Sequence, residues 1–137
     1  MSTIARLLPF EVISQADQLA PYIQEAAAGS NGKFLGVDIA RLLARGEWQL
    51  WTAREAGQLK AVLMTRIVFY PQLKACQLLA AVGEERDANM LPFMPDIEAW
   101  AKSQGCTLME PIARAGWDRV LKPLGFVRTH VMLEKRI

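Results

Sequence analysis

Few residues of this chain could do chemistry, and they are scattered. Cys76 in "KACQLLAAV" and Cys106 in "GCTLM" lie inside apolar runs and lack metal-ligand spacing, so both read as buried free thiols of a reducing compartment. The chain has one histidine, His130, too few for a zinc site, and no metal is expected. His130 alternates with apolar neighbours and reads as a surface residue. Glu110 in "CTLMEPIA" has two readings: a general base that takes a proton from an amine through water, or a strand carboxylate paired with Arg114, the commoner case. Arg114 and Arg119 either grip a phosphate or carboxylate, or are solvated flanks of a helix. In "GEERDAN", residues 83–89, one glycine precedes Glu84, Glu85, Arg86 and Asp87. Those acids either colour a phosphate-type loop or favour the positive end of the helix that follows.

The elements that would position these groups follow from periodicity. Ser14 with Asp17 predicts a helix start, and Leu19, Tyr22, Ile23 and Ala26 share one helical face, with a kink or restart expected at Pro21. Asp38 is expected to cap the short helix "IARLLAR", with Gly46 at its exit. From residue 47 the period becomes two. "EWQLWTARE", "AGQ" and "LKAVLMTRIVFY" predict a hairpin closed by Pro71, and "KACQLLAAV" a third strand. Both faces of these strands are apolar, as in the middle of a covered sheet. Met94, Ile97, Trp100 and Ala101 predict a helix ended by Gly105, and "CTLMEPIA" a strand. Trp117, Val120, Leu121 and Leu124 predict a helix ended by Gly125. Val127, Thr129, Val131 and Leu133, alternating with Arg128, His130 and Glu134, predict a final strand. Trp48, Trp51 and Trp117 either form an aromatic acceptor pocket or, more simply, fill the core. "MLPFMP", residues 90–95, is either a partner surface or a lid on the sheet.

The resulting fold class is α/β (α+β): a mixed, mainly antiparallel central sheet with helices on both faces. With 137 residues, 52% hydrophobic and 22% charged, one globular domain over 1–137 is expected rather than a disordered chain. A net charge of +2 is too small to argue for nucleic acid or an acidic membrane. No run reaches the roughly 18 apolar residues of a membrane span, and "MSTIARLLPFEVISQ" lacks a signal-peptide pattern. The expected location is the cytoplasm.

The element order, and above all "RAGWDRVLKPLGFVRTHVMLEKRI" with Gly125 and Phe126 between an amphipathic helix and a strand, resembles the GNAT acyltransferase superfamily. "GEWQLWTAREAGQLKAVLMTRIVFYP", "EAWAKSQGC" and "ARAGWDRVLKPLGF" are similar to a narrower group of small GNAT-like proteins of phages and prophages. The resemblance implies acetyl-CoA or another acyl-CoA as donor, held where the strand Gln77–Val82 splays from Thr107–Ile112. Its contacts would come from Leu79, Ala80, Ala81, Val82 and Gly83, with Asn89 and Arg114 beyond, and Glu110 close to the acyl group. Two departures weaken that implication. The loop has one glycine and three acids where a diphosphate would sit, and Leu121 stands where many members have a proton-donating tyrosine. Two functions therefore stand: an N-acyltransferase with a degenerate coenzyme loop and weak coenzyme binding, or a non-catalytic phage protein that binds a structural partner in the bacterial host or virion. The sequence leaves the acceptor and the oligomeric state open.

Overall fold

A computed structural model describes residues 2–83, 91–113 and 116–137. Five strands form one sheet in the order β1-β2-β3-β4-β5: β1 Ser2–Leu7, β2 Trp48–Glu55, β3 Gln58–Phe69, β4 Lys74–Gly83 and β5 Leu108–Pro111. The first four strands are antiparallel, and β5 joins β4 in parallel. A parallel pair needs a crossover, which α4, Phe93–Ser103, supplies. One face carries α1 Pro9–Ser14, α2 Ala16–Ala28 and α3 Gly36–Ala44, and the other carries α4 and the short α5, Trp117–Leu121. The mixed, mainly antiparallel sheet between helices is the architecture expected from the sequence.

Each face has its own core. Leu19 and Ile23 of α2 and Ile39 and Leu43 of α3 pack on Leu50, Val62, Met64 and Val82. Phe93, Ile97 and Ala101 of α4 pack on Trp51, Leu63, Cys76 and Leu78. Leu19, Ile39, Leu43, Leu50, Leu63, Phe93 and Ile97 are at most 1% exposed, and each such side chain contributes about 1.5–3 kcal/mol of transfer free energy. Phe93 and Met94 of "MLPFMP" are buried in the α4 core, whereas Leu91 is 37% exposed. Inside the second core, the Trp51 indole donates to Thr65 Oγ1 at 3.1 Å, and the Thr65 hydroxyl donates to Gln49 at 2.9 Å. These buried polar atoms are thereby satisfied. Trp48 is buried in the first core, and Trp117 packs partly against the second.

The β2–β3 hairpin turns on Ala56 and Gly57, whose φ values are +52° and +79°. Two left-handed residues in sequence make the turn whose twist matches the flanking strands. The β3–β4 ladder has a register shift between Met64 and Thr65: Met64 faces Ala80 while Thr65 faces Leu78, so Leu79 is an extra residue in β4. The extra residue exchanges the faces. Cys76 and Leu78 belong to the α4 core before it, whereas Val82 belongs to the α2–α3 core after it.

The structure departs from the sequence reading at five points. The N-terminal segment is a strand, paired along its length with β2 from Ser2↔Glu55 to Leu7↔Leu50. Its partner lies far along the chain, so no local turn announces it. Ser14 closes α1 instead of capping α2, its hydroxyl donating to the Glu11 carbonyl at 3.1 Å. The helical break falls at Gln15, and α2 runs through Pro21 without a restart. Asp38 serves α3 as its third helical residue, accepting the Leu35 amide at 2.8 Å, and the N-cap is Leu35. The expected final strand is not formed: residues 126–137 have no ladder partner among the described residues. Phe126 packs against the α4 core, and Glu134 pairs with Lys33 and Asn31 between α2 and α3, which draws the segment away from β5.

Candidate active site

β4 and β5 pair over only four positions, Ala75↔Leu108 to Leu78↔Pro111. A last bond runs from the Ile112 amide to the Leu78 carbonyl at 2.9 Å. β4 then continues through Leu79, Ala80, Ala81 and Val82 to Gly83 with no partner on its β5 side among the described residues. The two strands part where the bulge falls. Along this free edge Leu79, Ala80 and Ala81 are half-buried and Val82 is buried, so the edge is apolar, and its unpaired backbone groups are the polar groups available there. An extended ligand carrying amides fits such an edge as an added strand does.

Gly83 ends β4 in a conformation that only glycine tolerates. Its φ is +135°, and an added Cβ would lie 2.4 Å from the Lys60 carbonyl oxygen and 2.7 Å from the Ala61 Cα. The single glycine of "GEERDAN" is thus fixed by contact with β3. The rest of that loop, Asn89 included, and Arg114 lie outside the described residues.

A row of polar side chains crosses the sheet one register position below the fork. Arg66, Gln77 and Glu110 are cross-strand partners on β3, β4 and β5. Arg66 Nε donates to the Gln77 side-chain oxygen at 2.7 Å, and the Gln77 amide donates to Glu110 Oε1. From the end of β3 the Tyr70 hydroxyl donates to both Glu110 oxygens, at 2.8 and 3.1 Å. Gln77 is only 7% exposed and spends both ends of its amide on charged partners, which fixes its orientation. By strand alternation this row points to the α1–α3 side, where Leu79 and Ala80 also pack. Hydrogen bonding to Glu110, then desolvation and the carboxylate's charge, raise the Tyr70 pKa above its ordinary value.

The residues singled out from sequence are therefore partly assembled. Glu110 stands beside the root of the fork, with Tyr70 and Gln77 as its partners. Leu79, Ala80, Ala81, Val82 and Gly83 form the free edge. Leu121 is 3% exposed and packs in the α4 core, so its place holds hydrocarbon and no proton donor. His130 and Arg119 are exposed, as expected of surface residues. Sequence reasoning missed Tyr70 and Gln77, and the glutamine inside an otherwise apolar "KACQLLAAV" was the available signal. Among the described residues no group of histidines, cysteines and carboxylates could hold a metal, and no helix is long and apolar enough to cross a membrane.

No protein-family model and no curated protein sequence matches this chain. Solved structures do. A GCN5-related N-acetyltransferase from Ralstonia eutropha superposes with a TM-score of 0.72 at 16% identity, covering 99% of this chain and 99% of that one. A ribosomal-protein-alanine N-acetyltransferase from Brucella melitensis gives 0.72 at 14%, covering 100% and 99%. A predicted acetyltransferase from Clostridium acetobutylicum, solved with acetyl-CoA, gives 0.67 at 16%, covering 99% and 96%. The chain has the GNAT acetyltransferase fold.

Proposed function

We propose that this chain is an acyl-CoA-dependent N-acyltransferase in which Glu110 is the general base. The observation that carries the reading is the parting of β4 and β5 at Leu78 and Pro111, with a tethered carboxylate one position below it. The free edge, Leu79 to Gly83, fits the amides of a pantetheine arm, and the half-buried side chains of Leu79, Ala80 and Ala81 leave the backbone accessible. When bound, the coenzyme supplies the acyl group as an activated thioester. The chain's own residues hold the arm, exclude water along the apolar edge and receive a proton. Glu110 would accept the proton of the attacking amine, directly or through one water, and with hydrocarbon at Leu121 the thiolate released as the amide forms would take its proton from solvent. Tyr70 and Gln77 keep that carboxylate in place, so less ordering remains to be done at the moment of reaction.

The acidic loop sets the affinity. Glu84, Glu85 and Asp87 outnumber Arg86 where the resemblance puts the diphosphate, and like charges oppose its approach. Calorimetric titration with acetyl-CoA is expected to give saturable binding weaker than low micromolar, tightened in the double variant Glu84→Gln, Glu85→Gln. No heat at millimolar acetyl-CoA from either protein would reject the reading.

A second reading has its own observation. Buried Leu121 removes the proton donor that the resemblance expects, which suits a scaffold that has left catalysis and binds a phage structural protein instead. A null titration together with capture of a capsid or tail protein would select it.

A further inference from the structure

Trp48, Arg66, Gln77 and Glu110 occupy one register line across β2, β3, β4 and β5. By strand alternation all four share the α1–α3 side of the sheet, where Trp48 packs edge-on against Phe34 at 5.1 Å. The line therefore carries a cation, a neutral amide and an anion, in that order, beside an aromatic wall. Arg66 commits Nε to the Gln77 oxygen at 2.7 Å, and no carboxylate lies within ion-pair distance of it among the described residues. Its two terminal nitrogens are left as donors without a protein acceptor there. Glu110 likewise meets no cation among the described residues; its partners are the Tyr70 hydroxyl and the Gln77 amide. Arg66 and Glu110 are both half-buried, so neither is closed off from a ligand.

Two opposite charges that would neutralise one another are instead held apart by Gln77. The glutamine is 7% exposed and uses both ends of its amide, so it does not swing aside to let them meet. Half-buried charges without ion partners are costly until a bound group supplies them. A ligand with an amine and a carboxylate a few atoms apart supplies both at once. Its carboxylate suits the planar guanidinium fork, and its amine suits Glu110. An amine carrying only positive charge gains at Glu110 and is opposed at Arg66, whose field already acts on the Tyr70 hydroxyl.

We propose that the acceptor is a free amino acid, bound through its carboxylate to Arg66 and presented through its amine to Glu110. The assignment rests on the transferase reading of this site and adds the class of acceptor and the residue that selects it. The amino acid enters as the ammonium and gives one proton through Glu110 to solvent. On attack a nitrogen–carbon bond forms to the acyl carbon and the carbon–sulfur bond breaks. The second proton leaves the nitrogen by the same carboxylate, and the thiolate takes one from water. Holding the carboxylate also fixes the direction in which the amine faces.

Calorimetric titration with free amino acids and with the corresponding amino-acid amides, in the presence and absence of coenzyme A, reads the site without turnover. A preferred amino acid is expected to bind roughly 10–100-fold more tightly than its own amide, the loss of one charge-assisted contact. Turnover with acetyl-CoA is expected to show the same preference in kcat/KM and to be poor with a polyamine. Arg66→Gln is expected to erase the preference by weakening the amino acid and sparing the amide, and Arg66→Lys to restore part of it. Should Arg66→Gln fail to fold, the comparison of acid with amide in the unaltered protein still decides. Equal affinity for the two, a preference that survives Arg66→Gln, or no binding by any free amino acid at millimolar concentration overturns the assignment. Selective binding of amino acids without acyl transfer rejects the transferase reading and keeps the amino-acid site. Transfer to amides and polyamines as readily as to amino acids keeps the transferase and rejects the site.

Discussion

At the scale of single residues, the site turns on how Glu110 is held. Tyr70 donates to both carboxylate oxygens and is 41% exposed, so Tyr70→Phe removes hydrogen bonds to a charge without opening a cavity in the core. The variant is expected to fold normally and to lower kcat, with KM for acyl-CoA little changed, because the carboxylate is no longer held in place. Glu110→Gln is expected to lower kcat by about 10²–10⁴-fold, since the amide cannot accept the proton. Equal kcat in wild type and Glu110→Gln would remove this residue from the chemistry. Cys76 makes a different prediction. It is fully buried, and desolvation, then the nearby Cys106, raise its pKa from 9.0 to about 12. The folded protein holds that proton more tightly than the unfolded chain does. The resulting stability is intact below pH 9 and is lost as the pH rises toward about 12. Urea melts across that range should show the decline, and Cys76→Ala should flatten it. The native thiol is likewise expected to resist alkylation that labels it readily once the chain is unfolded.

At the scale of elements, the hairpin turn and the end of β4 impose opposite demands on backbone geometry. Ala56 holds φ +52° in a turn that prefers asparagine followed by glycine. Ala56→Asn is expected to raise stability by about 0.5–1 kcal/mol, read as a higher melting temperature. Gly83→Ala is expected to cost about 3 kcal/mol, through a positive φ and a collision with the β3 backbone, and to weaken coenzyme binding with it. These elements also show what sequence patterning carries. Alternation placed the hairpin and β4 correctly because successive side chains enter opposite cores, both faces of these strands being buried. The same alternation misread residues 127–133, since it describes how a strand would face and not whether a partner is present. β1 was missed for the converse reason, having a partner but no neighbouring turn to mark it. Glu110 was legible as a carboxylate in a strand. Its partners were not, because Tyr70, Gln77 and Glu110 meet only once three strands are in register.

At the scale of the whole molecule, one sheet separates two cores, and β2, β3 and β4 contribute to both. Loss of packing on either side must then loosen the same strands. Ile97→Ala on the α4 side and Leu19→Ala on the α2 side are each expected to destabilise by about 2–5 kcal/mol. Each should lower a single calorimetric transition, whereas two separate transitions would mean that the faces melt independently. The coupling passes through β4, whose two halves run out of phase because of Leu79. Excision of that one residue would bring Leu78 and Ala80 into consecutive register against Thr65 and Met64, leaving Ala81 on the α4 side and Val82 on the α2–α3 side and removing only the bulge beside the fork. The surplus residue therefore belongs to the opening between the strands and not to the packing: its loss would spare both cores and smooth the ladder at the point where β4 leaves β5.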